Sequence, residues 1–344
     1  DLVRSRGLGD VYKRQKQRKS FMSSLAGKHV LITGGAGFIG YNLARKLSEM
    51  KAVVTVYDNL SGARSEERAE KLKAARILCV IDDILHKNEL LSSAKGSDIV
   101  FHLAALSSVP ESYKNPQKDC QINVLGTVNA LDVARAVDAP VIFTSSSTVY
   151  GVAKKIPTPE DHPLQPISFY GLSKLVAENY CQTYYKTYGL PTVSLRLFNV
   201  YGPEEATGVS YDFLKKIKAN NKRLEIIGSG EQSKDFVYVD DVIEAITRIA
   251  QNDKAIGETY NVGSGTTTNV VKLAEMILNL LGLLNTTQII CGVHEDWPGD
   301  VTYTHADISK ITRQLGWKPR TTFKEGLLKS IKWFESKYGR IVHR

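Results

Sequence analysis

Hydrophobic positions change rhythm along the chain. From Lys28, short apolar runs alternate with segments whose apolar residues recur every three or four positions. HVLITG, AVVTVYD, ARILCVID, DIVFHLAA, PVIFTSS and TVSLRLFN read as strands. FIGYNLARKLSEM, SEERAEKLKAA, KNELLSSAKG, the long stretch PQKDCQINVLGTVNALDVARAV and SFYGLSKLVAENYCQTYYKTYG read as the helices between them. Strands alternating with helices predict an α/β fold of Rossmann type, a doubly wound parallel sheet with helices on both faces. After Gly202 the rhythm weakens. Helices at VSYDFLKKIKANN, DDVIEAITRIAQ, VVKLAEMILNLLG and FKEGLLKSIKWFESK, with short strands at LEIIG and FVYV, predict a smaller α+β C-terminal domain. The expected division is a Rossmann-type domain over 25–200, to which elements near 235–262 return, and a mainly α+β domain over 201–340.

Composition narrows this little. The 344 residues are 42% hydrophobic and 24% charged, ordinary for a globular protein. No apolar run approaches the roughly 20 residues of a spanning helix, so no membrane partner is expected. The net charge of +9 raises nucleic acid as a ligand, but its location argues against it. Residues 1–24 hold seven Arg or Lys against two Asp, and the rest is nearly balanced. This segment reads as a disordered or non-native extension with Met22 as the expected start, although an organelle transit peptide has a similar composition. Cys79, Cys120, Cys181 and Cys291 show no C-x-x-C spacing. Neither a metal site nor a disulfide framework is expected, and a reducing cytoplasmic setting fits.

The candidate chemistry starts at VLITGGAGFIG. Gly34, Gly37 and Gly40 follow a strand and open a helix, where glycines allow a tight turn, close approach to a pyrophosphate and helix-on-strand packing. Phe38, Ile39 and Gly40 then offer free N–H groups at the helix N-terminus. In VYDNLSG, Asp58 ends the second strand beside Asn59. A carboxylate there accepts the ribose hydroxyls of NAD and repels the extra phosphate of NADP, and Arg64 lies farther along the loop. Asp83 and Ile84 are placed to meet an adenine; Asp82 reads equally well as a solvated turn. In FHLAALSS, Leu103, Ala104 and Ala105 are small or apolar where backbone passes the nicotinamide ribose, with Ser107 toward the substrate. His102 reads as a packed core histidine. Tyr170 and Lys174 stand at i and i+4, on one helical face. A phenol with a free pKa of about 10 is a poor base, and a fixed ammonium one turn away favours the phenolate.

TGGAGFIG, FHLAA, SSSTVYG, YGLSK, RLFNVYGP and GSGEQSKDFVYVDDV, in this order between Lys28 and Lys337, resemble the extended short-chain dehydrogenase/reductase superfamily. Within it they are most similar to nucleotide-sugar epimerases of the UDP-glucose 4-epimerase type. The resemblance implies NAD as cofactor and a UDP-sugar as substrate. It implies Ser146, four positions before Tyr150, as the hydroxyl on the reacting sugar oxygen, with Ser145 and Ser147 secondary. It implies that Tyr170 takes the C4 hydroxyl proton while C4 passes hydride to NAD, with Lys174 on the ribose. The flat 4-keto sugar turns over and is reduced from its other face. Ser147 and Thr148 stand where related 4,6-dehydratases carry Asp and Glu, which disfavours elimination and decarboxylation.

The same resemblance assigns Asn199 to the sugar diphosphate and Asn123 to support of the active-site backbone. Lys234 stands where the family usually has a phosphate-binding Arg. Trp297 replaces a second such Arg with an indole able to stack on a base or ribose. Thr304 replaces a bulky Tyr that gates the sugar pocket, so N-acetylhexosamines or uronic acids are expected to fit. Homodimers through helices near 117–137 and 168–189 are the family's habit. The competing expectations are a related sugar-nucleotide oxidoreductase, decarboxylase or dehydratase, or an idle member that binds nucleotides or RNA.

Overall fold

Residues 24–292 and 299–341 are described by the structure, a computed structural model. The basic segment through residue 23 and Trp297 lie outside the described residues. Strands β1 (His29–Thr33), β2 (Val53–Asp58), β3 (Leu78–Ile81), β4 (Ile99–His102), β5 (Val141–Ser146) and β6 (Thr192–Leu197) form where the apolar runs predict them. Between them lie α1 (Phe38–Glu49), α2 (Ser65–Ala74), α3 (Lys87–Ala94), α4 (Val109–Lys114), α5 (Pro116–Cys120), α6 (Gly126–Ala136) and α7 (Phe169–Tyr188). The expected single helix over 116–137 is interrupted: a π turn, Gln121–Leu125, separates α5 from α6. A π turn takes one more residue per turn than an α-helix, which a three-or-four periodicity does not register.

Chain order continues with β7 (Asn199–Tyr201), α8 (Val209–Ala219), β8 (Arg223–Ile226), β9 (Ser233–Lys234), β10 (Phe236–Tyr238), α9 (Val239–Ile249) and β11 (Thr259–Val262). Last come β12 (Thr268–Asn269), α10 (Val270–Leu281), β13 (Gln288–Cys291), α11 (Ser309–Leu315) and α12 (Phe323–Tyr338). The main sheet has the order β11-β6-β5-β4-β1-β2-β3, and its neighbours are parallel throughout. This is a Rossmann-like α/β architecture. Of the elements near 235–262, β11 joins this sheet, whereas β10 pairs with β7 in a separate ladder. Strand order reverses between β1 and β4, and such a switch point opens a crevice at the carboxyl ends of the strands.

Alternate residues of β1, β4 and β5 feed opposite cores, which explains their near-continuous apolarity. Val30 and Ile32 of β1 pack on one face, with Phe213, Leu224, Trp317 and Phe334 of the later elements in the same cluster. Leu31, Val100 and Phe143 pack on the other face with Leu90, Leu131 and Ala177. The later elements therefore share a continuous core with one face of the sheet. No helix among the described residues is long and apolar enough to cross a membrane.

Candidate active site

The glycine-rich loop turns at the carboxyl end of β1. Gly34 has φ +70°, and a Cβ there would lie 2.6 Å from the backbone nitrogen of Ala104. A Cβ on Gly40 would meet the Gly34 carbonyl at 2.2 Å, so α1 packs against its own entry loop only without a side chain there. Gly37 precedes α1 and no side chain caps its first turn. The N–H groups of Phe38, Ile39 and Gly40 are thus left for an anion, and the helix dipole favours one. These residues fit the pyrophosphate of a dinucleotide.

Asp58 ends β2 and braces this loop. One carboxylate oxygen accepts from the Ala36 N–H at 2.9 Å and the other from the Leu60 N–H at 2.8 Å. Asn59 donates to Asp83 at 2.7 Å, linking the ends of β2 and β3. Asp83 also accepts from the Leu85 N–H, while Asp82 pairs with His86 in an exposed turn. Ile84 is buried in the core against Gly126. Leu103, Ala104 and Ala105 are half-buried after β4, and Ser107 is exposed. His102 shares hydrogen bonds with Thr33 at 2.7 Å and Thr127 at 2.9 Å, and burial pushes its pKa down to about 3. It is a neutral core residue.

Helix α7 is capped by Ser168, whose hydroxyl accepts from the Gly171 N–H at 3.0 Å. Tyr170 therefore sits in the first turn and Lys174 one turn on. Both reach toward β5. The Tyr170 phenol engages the Ser146 hydroxyl. Lys174 Nζ donates to the Thr144 carbonyl at 2.7 Å and lies 4.7 Å from the Phe143 ring centroid. Ser146 Oγ accepts from the Thr148 N–H at 3.2 Å and the Thr148 hydroxyl at 2.9 Å. Ser145 Oγ is buried with no hydrogen-bond partner. The sequence leads one to expect a phenol sharpened by its ammonium neighbour. Here burial dominates: it pushes Tyr170 up to about 12, against the lowering effect of Ser146, and Lys174 down to about 8. The ammonium is engaged by the Thr144 carbonyl.

Asn123 projects from the π turn and is buried. Its Oδ1 accepts from the Leu106 N–H at 2.8 Å, and its Nδ2 donates to the Leu106 carbonyl, to Ser173 at 3.0 Å and to Asp119 at 2.9 Å. It thereby ties the loop after β4 to the helix that carries Tyr170.

On the substrate side Asn199 and Thr304 meet. Asn199 Nδ2 donates to Thr304 Oγ1 at 3.2 Å and to the Asp235 carbonyl at 3.1 Å. Lys234 donates to Asp300 at 2.8 Å and to the Val301 carbonyl. Its charge is matched by a carboxylate at the position where the sequence points to a phosphate. Two contributors escaped the sequence reading. Asp235 is fully buried and accepts from Ser264, Gly265 and Ala306, gathering the loop after β11 and the Ala306 segment near Asn199. Asp119 is buried beside Asn123; its sequence signal was a carboxylate four positions before that Asn.

The sequence profile described as GDP-mannose 4,6 dehydratase matches residues 31–330. A relative from Methanocaldococcus jannaschii, a putative UDP-glucose 4-epimerase, is 36% identical over 313 residues, 89% of this chain and 98% of that one. The solved UDP-glucose 4-epimerase of Thermotoga maritima, with UDP-glucose, superimposes with a TM-score of 0.83 at 32% identity, covering 90% of this chain and 99% of that one. The UDP-glucuronic acid 4-epimerase of Bacillus cereus, in complex with UDP-glucuronic acid and NAD, gives 0.82 at 29% identity, covering 90% and 100%.

Proposed function

The chain belongs to the GDP-mannose 4,6 dehydratase family of the extended short-chain dehydrogenase/reductases, and from that membership we propose that it is an NAD-dependent 4-epimerase of UDP-sugars. The observation that carries the reading is the convergence of Tyr170, Lys174 and Ser146 at the end of β5, with hydroxyl side chains at Ser147 and Thr148 where elimination needs carboxylates. Bound NAD supplies a reversible two-electron acceptor at the sugar carbon. Gly34, Gly37 and the first turn of α1 hold its pyrophosphate, and Asp58 its adenosine ribose. Tyr170 removes and returns the C4 hydroxyl proton. Ser146 stabilises the oxygen as it becomes a carbonyl, and Thr148 orients Ser146. Asn123 fixes the backbone at Leu106, on the loop after β4. Asn199, Lys234 and Thr304 form the substrate side, with Thr304 leaving room for N-acetyl or uronate groups.

We read residues 25–200 with β11 as the cofactor lobe and 201–340 as mainly the substrate lobe. Exposed Leu125, Leu172, Tyr180 and Tyr188 on the π turn and α7 support a homodimer through these helices. Four free cysteines fit a cytoplasmic enzyme. The test is a panel of nucleotide sugars incubated with purified protein without added NAD and read by chromatography, with Tyr170→Phe as control. Conversion of UDP-galactose to UDP-glucose, or of its N-acetylated or uronate counterpart, supports the reading. A 4-keto-6-deoxy or decarboxylated product replaces it.

A further inference from the structure

Asp119 is a buried carboxylate that the proposed chemistry does not use. It is 1% exposed, at the end of α5 where the π turn begins. Its Oδ1 accepts from Asn123 Nδ2 at 2.9 Å, and the same amide reaches Ser173 on α7 at 3.0 Å. Ser173 in turn donates to the Tyr170 carbonyl at 3.0 Å. Asp119 is therefore joined by three successive hydrogen bonds to the first turn of the helix bearing Tyr170 and Lys174.

The ionisable surroundings of that pair are few. From α7 come Tyr170, Lys174 and Cys181; from β4, His102; from α5, Asp119. From β5 come only neutral groups, Ser146, the Thr144 carbonyl and the Phe143 ring. Burial keeps the Cys181 thiol and the His102 imidazole uncharged. Among these groups Asp119 alone supplies a carboxylate; burial raises its own pKa, against the lowering effects of Ser173 and Lys174, which favour its charged form. Its field raises both Lys174 and Tyr170.

We propose that Asp119 is a positioning residue for the Tyr170–Lys174 pair, orienting the Asn123 amide and providing the buried negative charge that balances the Lys174 ammonium. This rests on the assignment of Tyr170 as the acid–base group. Removing the charge while keeping the shape lowers the titration of both partners: Lys174 loses an anion that favours its charged form, and Tyr170 loses one that opposes its phenolate.

Asp119→Asn makes that change, because an amide oxygen still accepts from Asn123. The measurement is an ultraviolet difference titration of tyrosinate in purified protein, each variant referenced to its own Tyr170→Phe version. Tyr170 is expected to titrate lower by about half a unit or more in Asp119→Asn, and close to the parent in Asp119→Glu. The pH profile of kcat/KM moves to lower pH in parallel. An unmoved titration, or a uniform fall in kcat at every pH with the profile in place, overturns the proposal and leaves Asp119 a structural residue. Should Asp119→Asn not fold, Asp119→Ser carries the same expectation. The titration requires no turnover. Failure to epimerise any UDP-sugar would therefore count against the proposed function without touching this result.

Discussion

Tyr170 and Lys174 leave α7 together, yet burial moves their protonation in opposite senses, up to about 12 for the phenol and down to about 8 for the ammonium. At neutral pH the phenol is loaded with its proton, and the Ser146 hydroxyl is the neighbour that favours its release. Tyr170→Phe is expected to lower kcat about a thousandfold with little change in KM, measured by steady-state kinetics; a loss below about tenfold would exclude it as the acid–base group. Glu205 is a second buried acid, outside the site. It accepts from Ser210 at 2.7 Å, and burial raises it from 4.5 to about 8. Its folded pKa lies above its unfolded one, so its stabilising contribution is complete below about pH 4.5 and lost as pH rises through about 8. Glu205→Gln should therefore keep its melting temperature better than the parent between about pH 6 and about pH 9, a difference worth at most about 3 kcal/mol. Parallel melting curves across that range would refute this.

The π turn between α5 and α6 shows what an element does for the site and why it is hard to read from sequence. One extra residue in the turn aims Asn123 at Leu106 and Ser173 at once. Asn123→Ala removes that brace, and kcat is expected to fall roughly a hundredfold while the melting transition stays cooperative. A fall in stability with unchanged kcat would make the brace purely structural. Much else was legible. β1 and β5 announce themselves because both faces of a parallel sheet are covered. Gly34 and Gly40 stand out because their contacts leave no room for a Cβ. The Tyr170–Lys174 spacing and the hydroxyls ending β5 lie within two local elements, so their convergence followed from the fold. The π turn was hidden because periodicity counts in α-helical turns. β9 and β12 were hidden because two residues carry no alternation. The Lys234–Asp300 pair joins groups 66 residues apart, which composition cannot foresee.

Across the whole molecule, Glu204 fastens the loop after β2 to α12. Its carboxylate accepts from Arg64 at 3.0 Å, Lys71 at 2.7 Å and Trp333 at 3.3 Å. Arg68, fully buried, donates to the Ala36 carbonyl of the glycine-rich loop at 3.1 Å and to the Glu204 carbonyl at 2.6 Å. Arg68 thus ties the glycine-rich loop to Glu204, which α12 also reaches through Trp333. On the outer surface, Leu172 and Tyr180 lie on one side of α7, near two turns apart and 40–49% exposed. If they form a helix-pair interface, Leu172→Glu converts a dimer to a monomer in light scattering; a parent that is already monomeric contradicts the assembly. The central claim, redox epimerisation at a carbon that never trades its hydrogen with water, is tested most directly with UDP-galactose deuterated at C4. The account predicts UDP-glucose that keeps the label at C4 and none released to solvent. Product with protium at C4 would contradict it.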